Sequence, residues 1–97
     1  MLTGKQKNYL RGIAHKLQPI IQIGKGGVND MLLKTIEDAL EARELIKVSV
    51  LQNCMEAPKI LAPAIAEAVG GEVVQVIGRT LVFYKESNNK KEIVLPK

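Results

Sequence analysis

The sequence predicts a compact two-layer α/β domain, order α-β-α-β-α-β-β, with helices packed on a small mixed four-stranded sheet. Two observations carry this. Apolar residues recur with helical period in three segments and with short, β-branched runs between them. Pro and Gly then punctuate the borders of those segments, at Pro19, Gly24–Gly27, Gly70-Gly71 and Gly78. Ninety-seven residues make one domain, and a core of that size needs no metal or disulfide staple. Residues 1–97 are therefore read as a single unit, with a core at about 2–84 and a polar C-terminal tail at 85–97.

Thr3 and Gln6 form a capping-box pattern, and Leu10, Ile13, Ala14 and Leu17 follow at i, i+3, i+4, i+7. A first helix is predicted over 3–17, stopped by Pro19 because the residue before proline avoids the α region. Ile20 to Ile23 read as a strand. Asn29 is a good N-cap, and Leu32, Leu33, Ile36 and Leu40 line one face of a second helix over 29–44. Residues 45–51 alternate, with Ile46, Val48 and Val50 on one face and Lys47 and Ser49 on the other. A third helix is predicted over 57–69, with Pro58 in its first turn and Gly70-Gly71 ending it. Pro63 conflicts with that helix, since it removes a hydrogen bond. Strands over 73–77 and 80–84 flank Gly78-Arg79, a two-residue hairpin signal. Residues 85–92 are polar and read as mobile, and Ile93-Val94-Leu95 either dock or fray.

Cys54 is the single cysteine, so a disulfide within the chain and a cysteine zinc cluster are both excluded. It reads as a small, partly buried hydrophobe and fits a reducing cytoplasm. No apolar run reaches the roughly 18–20 residues of a membrane helix, and the N-terminus lacks a secretory pattern, so no membrane association is expected. Charge is segregated along the chain. Residues 1–29 carry +5 with no acid, 30–72 carry −4, and 73–97 carry +3. A polyanion-binding face would segregate basic charge in this way.

Gly24-Lys25-Gly26-Gly27 joins the first strand to the second helix. Glycine lets a ligand approach the main chain, the helix behind aims free N–H groups forward, and Lys25 adds an ammonium. The loop is no Walker A motif, since Gly-Lys-Ser/Thr does not follow. It also fails the dinucleotide fingerprint, because Asn29 stands where the third glycine belongs. It does fit a GxxG loop that clamps nucleic-acid backbone. Lys7, Arg11 and His15 fall at i, i+4, i+8 on one stripe, with Lys5 and Lys16 further round. Such a helix can lie along a phosphate backbone. His15 has no second histidine or cysteine for a metal and no nucleophile to activate. No metal, cofactor or catalysis is expected. Arg79, in the hairpin turn, reads as exposed, with its side chain free for a phosphate or a base. Tyr9, Phe83 and Tyr84 are too few for a stacking platform, so recognition of backbone and shape is expected.

Four segments carry a family resemblance. They are Leu2-Thr3-Gly4-Lys5-Gln6-Lys7 with Leu10-Arg11 and Ala14-His15, then Ile23-Gly24-Lys25-Gly26-Gly27, then Glu44-Leu45-Ile46-Lys47-Val48, and finally Gln75-Val76-Ile77-Gly78-Arg79. Their order and spacing resemble the CRM domain (chloroplast RNA splicing and ribosome maturation), over about residues 2–84. A chain of one such domain is similar to the bacterial stand-alone YhbY-type proteins. The resemblance implies a fold similar to the C-terminal domain of translation initiation factor three. It also implies RNA binding through the GxxG loop and association with precursor large ribosomal subunits. The expected RNA contacts are Gly24, Lys25, Gly26, Gly27, Lys5, Lys7, Arg11, His15, Lys47 and Arg79, on a cytoplasmic monomer acting on ribosomal RNA. Two other readings stay open: a protein-binding module of the translation apparatus using the acidic face of the second helix, and a small phosphate-ligand enzyme.

Overall fold

The computed structural model describes residues 2–97. Its elements are α1 (Gly4–Ala14), β1 (Ile21–Ile23), α2 (Asp30–Arg43), β2 (Leu45–Val50), α3 (Pro58–Val69), β3 (Glu72–Ile77) and β4 (Thr80–Tyr84). The sheet order is β1-β2-β4-β3. β1 pairs with β2 in parallel, and β4 runs antiparallel to both β2 and β3, so β1, β2 and β3 all point the same way. The element order and the mixed four-stranded sheet are those the sequence predicts.

The layering is different: helices cover both faces, giving three layers instead of two. Ile46, Val48, Val50, Leu81 and Phe83 pack with Ile36 and Leu40 of α2 and Leu61 and Ile65 of α3. The alternate strand residues Leu45, Val82 and Tyr84 pack with Leu10 and Ala14 of α1. Side chains alternate across a strand, so the two clusters lie on opposite sides of the sheet. Cys54 is buried in the first cluster.

The predicted caps are present. Thr3 Oγ1 accepts from Gln6 N–H at 3.1 Å, and Gln6 Oε1 accepts from Thr3 N–H at 3.0 Å. Asn29 Oδ1 accepts from Leu32 N–H at 2.8 Å. α1 ends at Ala14, three residues before the predicted stop. Lys16 and Leu17 N–H instead donate to Ile13 and Ala14 carbonyls, three-residue bonds that tighten the chain and still seat Leu17 against the core. Pro63 sits within an unbroken α3. It and Lys59, whose carbonyl loses its partner, are both exposed, so water can satisfy the orphaned oxygen.

The tail is anchored, contrary to the expectation of mobility for 85–92. Glu44, fully buried, accepts N–H bonds from Ser87 (2.9 Å), Glu92 (2.7 Å) and Ile93 (2.9 Å). Glu41 accepts from Ser87 Oγ and from Asn88 and Asn89 N–H. Ile93 and Leu95 then dock on the α1 cluster. Burial opposes the Glu44 charge, but the N–H donors of Ile93, Ser87 and Glu92 outweigh it and hold the carboxyl below its usual range. Glu41 is lowered likewise, chiefly by the Ser87 hydroxyl and then by the two backbone donors. Glu44 also has φ +65°, a left-handed conformation that costs a non-glycine residue on the order of 1–3 kcal/mol.

Candidate nucleic-acid interface

Because β1, β2 and β3 are parallel, the three loops that follow them meet at one end of the sheet: 24–29, 51–57 and the Gly78-Arg79 hairpin. Ligands of open α/β sheets bind outside the carboxyl ends of such strands. The loops are tied together by backbone bonds, Leu51 N–H to the Ile23 carbonyl at 2.8 Å and Val50 N–H to the Arg79 carbonyl at 2.7 Å.

The glycine loop closes as a turn, with Gly27 N–H donating to the Gly24 carbonyl at 3.0 Å. Only Gly27 among its glycines has positive φ, at +66°. A Cβ on Gly26 would meet nothing within 4 Å, and one on Gly24 would make ordinary 3.6 Å contacts with Asn53 and Leu51. The fold thus requires glycine at Gly27 alone. At Gly26 the missing side chain leaves the backbone open to an incoming group, whereas the same direction at Gly24 faces Asn53 and Leu51. Lys25, at the tip, is exposed.

Arg79 departs from the sequence expectation. Its Nε donates to the Val50 carbonyl at 2.8 Å and an Nη to the Leu51 carbonyl at 2.7 Å. Its side chain is half-buried and engaged, because the C-terminal end of β2 has carbonyls without ladder partners that the guanidinium satisfies. Arg79 therefore staples the hairpin to the strand beside the glycine loop.

α1 covers only part of its sheet face. Beyond it lie two rows defined by register, Lys47–Val82–Gln75 and then Gln22–Ser49–Thr80–Ile77. A bulge between Val73 and Gln75 creates this arrangement. Val74 turns under α1, and the extra residue re-aims Gln75 to that same face. Arg11 and His15 from α1, Lys47 from β2, and Gln75 and Ile77 from β3 surround a half-open cavity of about 300 Å³. Simple alternation through 73–77 cannot show a bulge, so sequence reasoning missed the Gln75 placement. The polar residues Gln22 and Thr80, set within otherwise apolar strands, are the sequence signal of this uncovered face.

The structure therefore brings Arg11, His15 and Lys47 together, with Lys7 one turn back on the same stripe. Gly24–Gly27 and Arg79 lie at the adjoining end of the sheet. Lys5 does not join them: at helical spacing it stands about 160° round α1 from Lys7. Among the described residues the ion pairs are Lys34–Asp38 and Lys91–Glu86, so the cations of α1, the loop and β2 have no acid partner. The acidic α2 lies on the opposite side of the sheet. Among those residues no cluster of three metal-ligating side chains occurs, and no helix is long and apolar enough to cross a membrane.

The family model for the CRS1/YhbY (CRM) domain matches residues 2–85. The chain belongs to the CRM domain family. A Bacillus subtilis protein named "Probable RNA-binding protein YqeI" is 59% identical over 96 residues, 99% of this chain and 100% of the relative. A Haemophilus influenzae protein named "RNA-binding protein" is 40% identical, covering 99% of this chain and 96% of that protein. The fold matches the solution structure of the hypothetical protein SAV1595 from Staphylococcus aureus, described as "a putative RNA binding protein". That match has a TM-score of 0.83 and 58% identity, over 99% of this chain and 100% of the other.

Proposed function

We propose that this CRM domain binds RNA, and that its target is precursor large-subunit ribosomal RNA during ribosome assembly in the cytoplasm, where it acts as a monomer without catalysing a reaction. The observation that carries the reading is that cations from α1 and β2 without an acid partner gather on an uncovered part of the sheet face, beside the end of the sheet that carries the glycine loop. Gly26 leaves the backbone open to a phosphate, Gly24 and Gly27 shape the turn around it, Lys25 contacts the phosphate, and Lys7, Arg11, His15 and Lys47 extend the surface along the strand. Arg79 holds the loop end in place. Lys5, on the far flank of α1, is at most a peripheral contact. The names of the relatives support RNA as the ligand.

Crosslinking in cells, followed by sequencing of the bound RNA, tests the target. Enrichment of large-subunit precursor sequence is expected, and recovery of cellular RNA in proportion to abundance would overturn it. Filter binding tests the mechanism. For roughly 4–6 phosphate contacts, log K should fall against log[salt] with a slope of about −3.5 to −5.5, using the B-DNA coefficient. A flat response would rule out phosphate recognition.

A further inference from the structure

The cavity beside α1 differs in kind from the glycine loop. Its strand side carries Lys47 and Gln75, about 10 Å apart, two strand spacings, with the fully buried Val82 between them in the sheet. Gly12 and Ala14 of α1 complete the lining. Arg11 and His15 form one wall, and Ile77, 54% exposed, contributes an apolar surface on the other side. No acid lines it among the described residues. Arg11 commits one guanidinium N–H to Asn8 Oδ1 at 3.0 Å and keeps the rest of its fork.

A phosphate backbone needs only an exposed cationic surface. It does not need a recess with an amide in its lining. Gln75 offers both a donor and an acceptor, the complement of a base edge. The sheet delivers it there by a bulge, a device that recurs where a side chain must be re-aimed at a site. Bases inside an A-form duplex cannot be lowered into such a recess, because the major groove is too narrow and the base edges are stacked inside; a splayed-out base can. At about 300 Å³ the cavity lies at the small end of the ligand-site range of roughly 300–1,000 Å³.

We propose that this cavity receives one unpaired nucleotide of the bound RNA. Gln75 pairs with the base edge, Ile77 lies against the base, and Arg11, His15 and Lys47 hold the flanking phosphates. The inference rests on the RNA-binding reading and adds a preference for RNA interrupted by an unpaired residue.

The experiment uses the full chain with two hairpin RNAs that differ only by a single-nucleotide bulge in the stem. The protein should bind the bulged RNA about tenfold more tightly, the worth of one good base-edge contact, and Gln75→Ala should remove that preference. A 4-thiouridine placed at the bulge should crosslink to the peptides carrying Lys47 or Gln75–Ile77, a readout on the unmodified protein that survives any folding defect in the variant. Equal affinity for the two RNAs, or crosslinks confined to the glycine loop, would overturn the cavity assignment while leaving RNA binding intact. Binding to neither RNA would overturn both.

Discussion

The two ends of the sheet handle an anion in opposite ways. At the end where β2 begins, the chain supplies its own anion. The Glu44 carboxylate is buried, three tail N–H groups point at it, and Glu41 beside it is met by a hydroxyl and two more N–H groups. At the end where β1, β2 and β3 finish, the glycine loop and Lys25 present donors and a cation, Arg11, His15 and Lys47 add cations on the adjoining sheet face, and no carboxylate of the described residues pairs with those cations. The same chemistry is closed in one place and open in the other. A buried carboxylate surrounded by N–H donors is a structural element, because withdrawing either partner leaves a desolvated group unpaired. An unpaired cationic surface contributes nothing to folding and is available to an external polyanion.

Exchanging the sign of the open end should have the largest effect. Lys7→Glu with Arg11→Glu is expected to weaken RNA binding by about a hundredfold, as two attractive phosphate contacts become repulsive. Both residues lie off the apolar stripe of α1, so circular dichroism should stay native. Unchanged affinity with a native spectrum would remove α1 from the interface.

Opening the closed end should have a comparable effect on stability and little on RNA. Glu44→Gln replaces an acceptor of three N–H bonds with an amide that also donates, and it should cost about 2–3 kcal/mol in denaturant unfolding. Acid should act in the same direction. The folded-state pKa values of Glu44 and Glu41 lie below the ordinary 4.5, so the stabilisation is complete above 4.5 and is lost as pH falls from there through the lower folded values. A Tm that does not drop between pH 5 and roughly pH 3 would show that the tail clamp does not contribute.

Lys25→Ala is a smaller change at the open end. It should cost on the order of 1–2 kcal/mol of RNA affinity, one charge-assisted contact, with an unchanged Tm because the side chain is exposed. The smallest effects on stability separate two glycines within the same loop. Gly27→Ala should lower stability by about 1 kcal/mol because of its positive φ. Gly26→Ala should leave stability unchanged, since its Cβ would enter empty space. Gly26→Asp should then fold while losing RNA, through the carboxylate placed where phosphate approaches. A Gly26→Asp protein that binds RNA as the parent does would reduce the loop to a turn.

Local chemistry made much of this legible in the sequence. The Thr3–Gln6 box, the Asn29 cap, the Gly70 stop and the Gly78-Arg79 hairpin each depend on residues a few positions apart, and each is present. The alternation in β2 placed Lys47 and Ser49 away from the α2 and α3 core. The glycine loop and the Lys7–Arg11–His15 stripe were readable for the same reason.

What the tertiary structure decided involves partners and surfaces that exist only once the chain has folded. Glu44 reads as one more acid on a polar helix face until residues 87–93 return to surround it. Arg79 reads as a free turn arginine until the end of β2 presents two carbonyls to it. Pro63 reads as a helix breaker until packing turns its side of α3 to water. The bulge that re-aims Gln75 exists only because β3 pairs with β4 in a shifted register. Composition, caps and periodicity are properties of neighbouring residues and can be read from the sequence. Satisfaction of the buried Glu44 charge and of the carbonyls held by Arg79 is set by segments some thirty to fifty positions away, and the face on which Gln75 emerges is set by its pairing with Val82 of the next strand; only the folded chain brings these partners together.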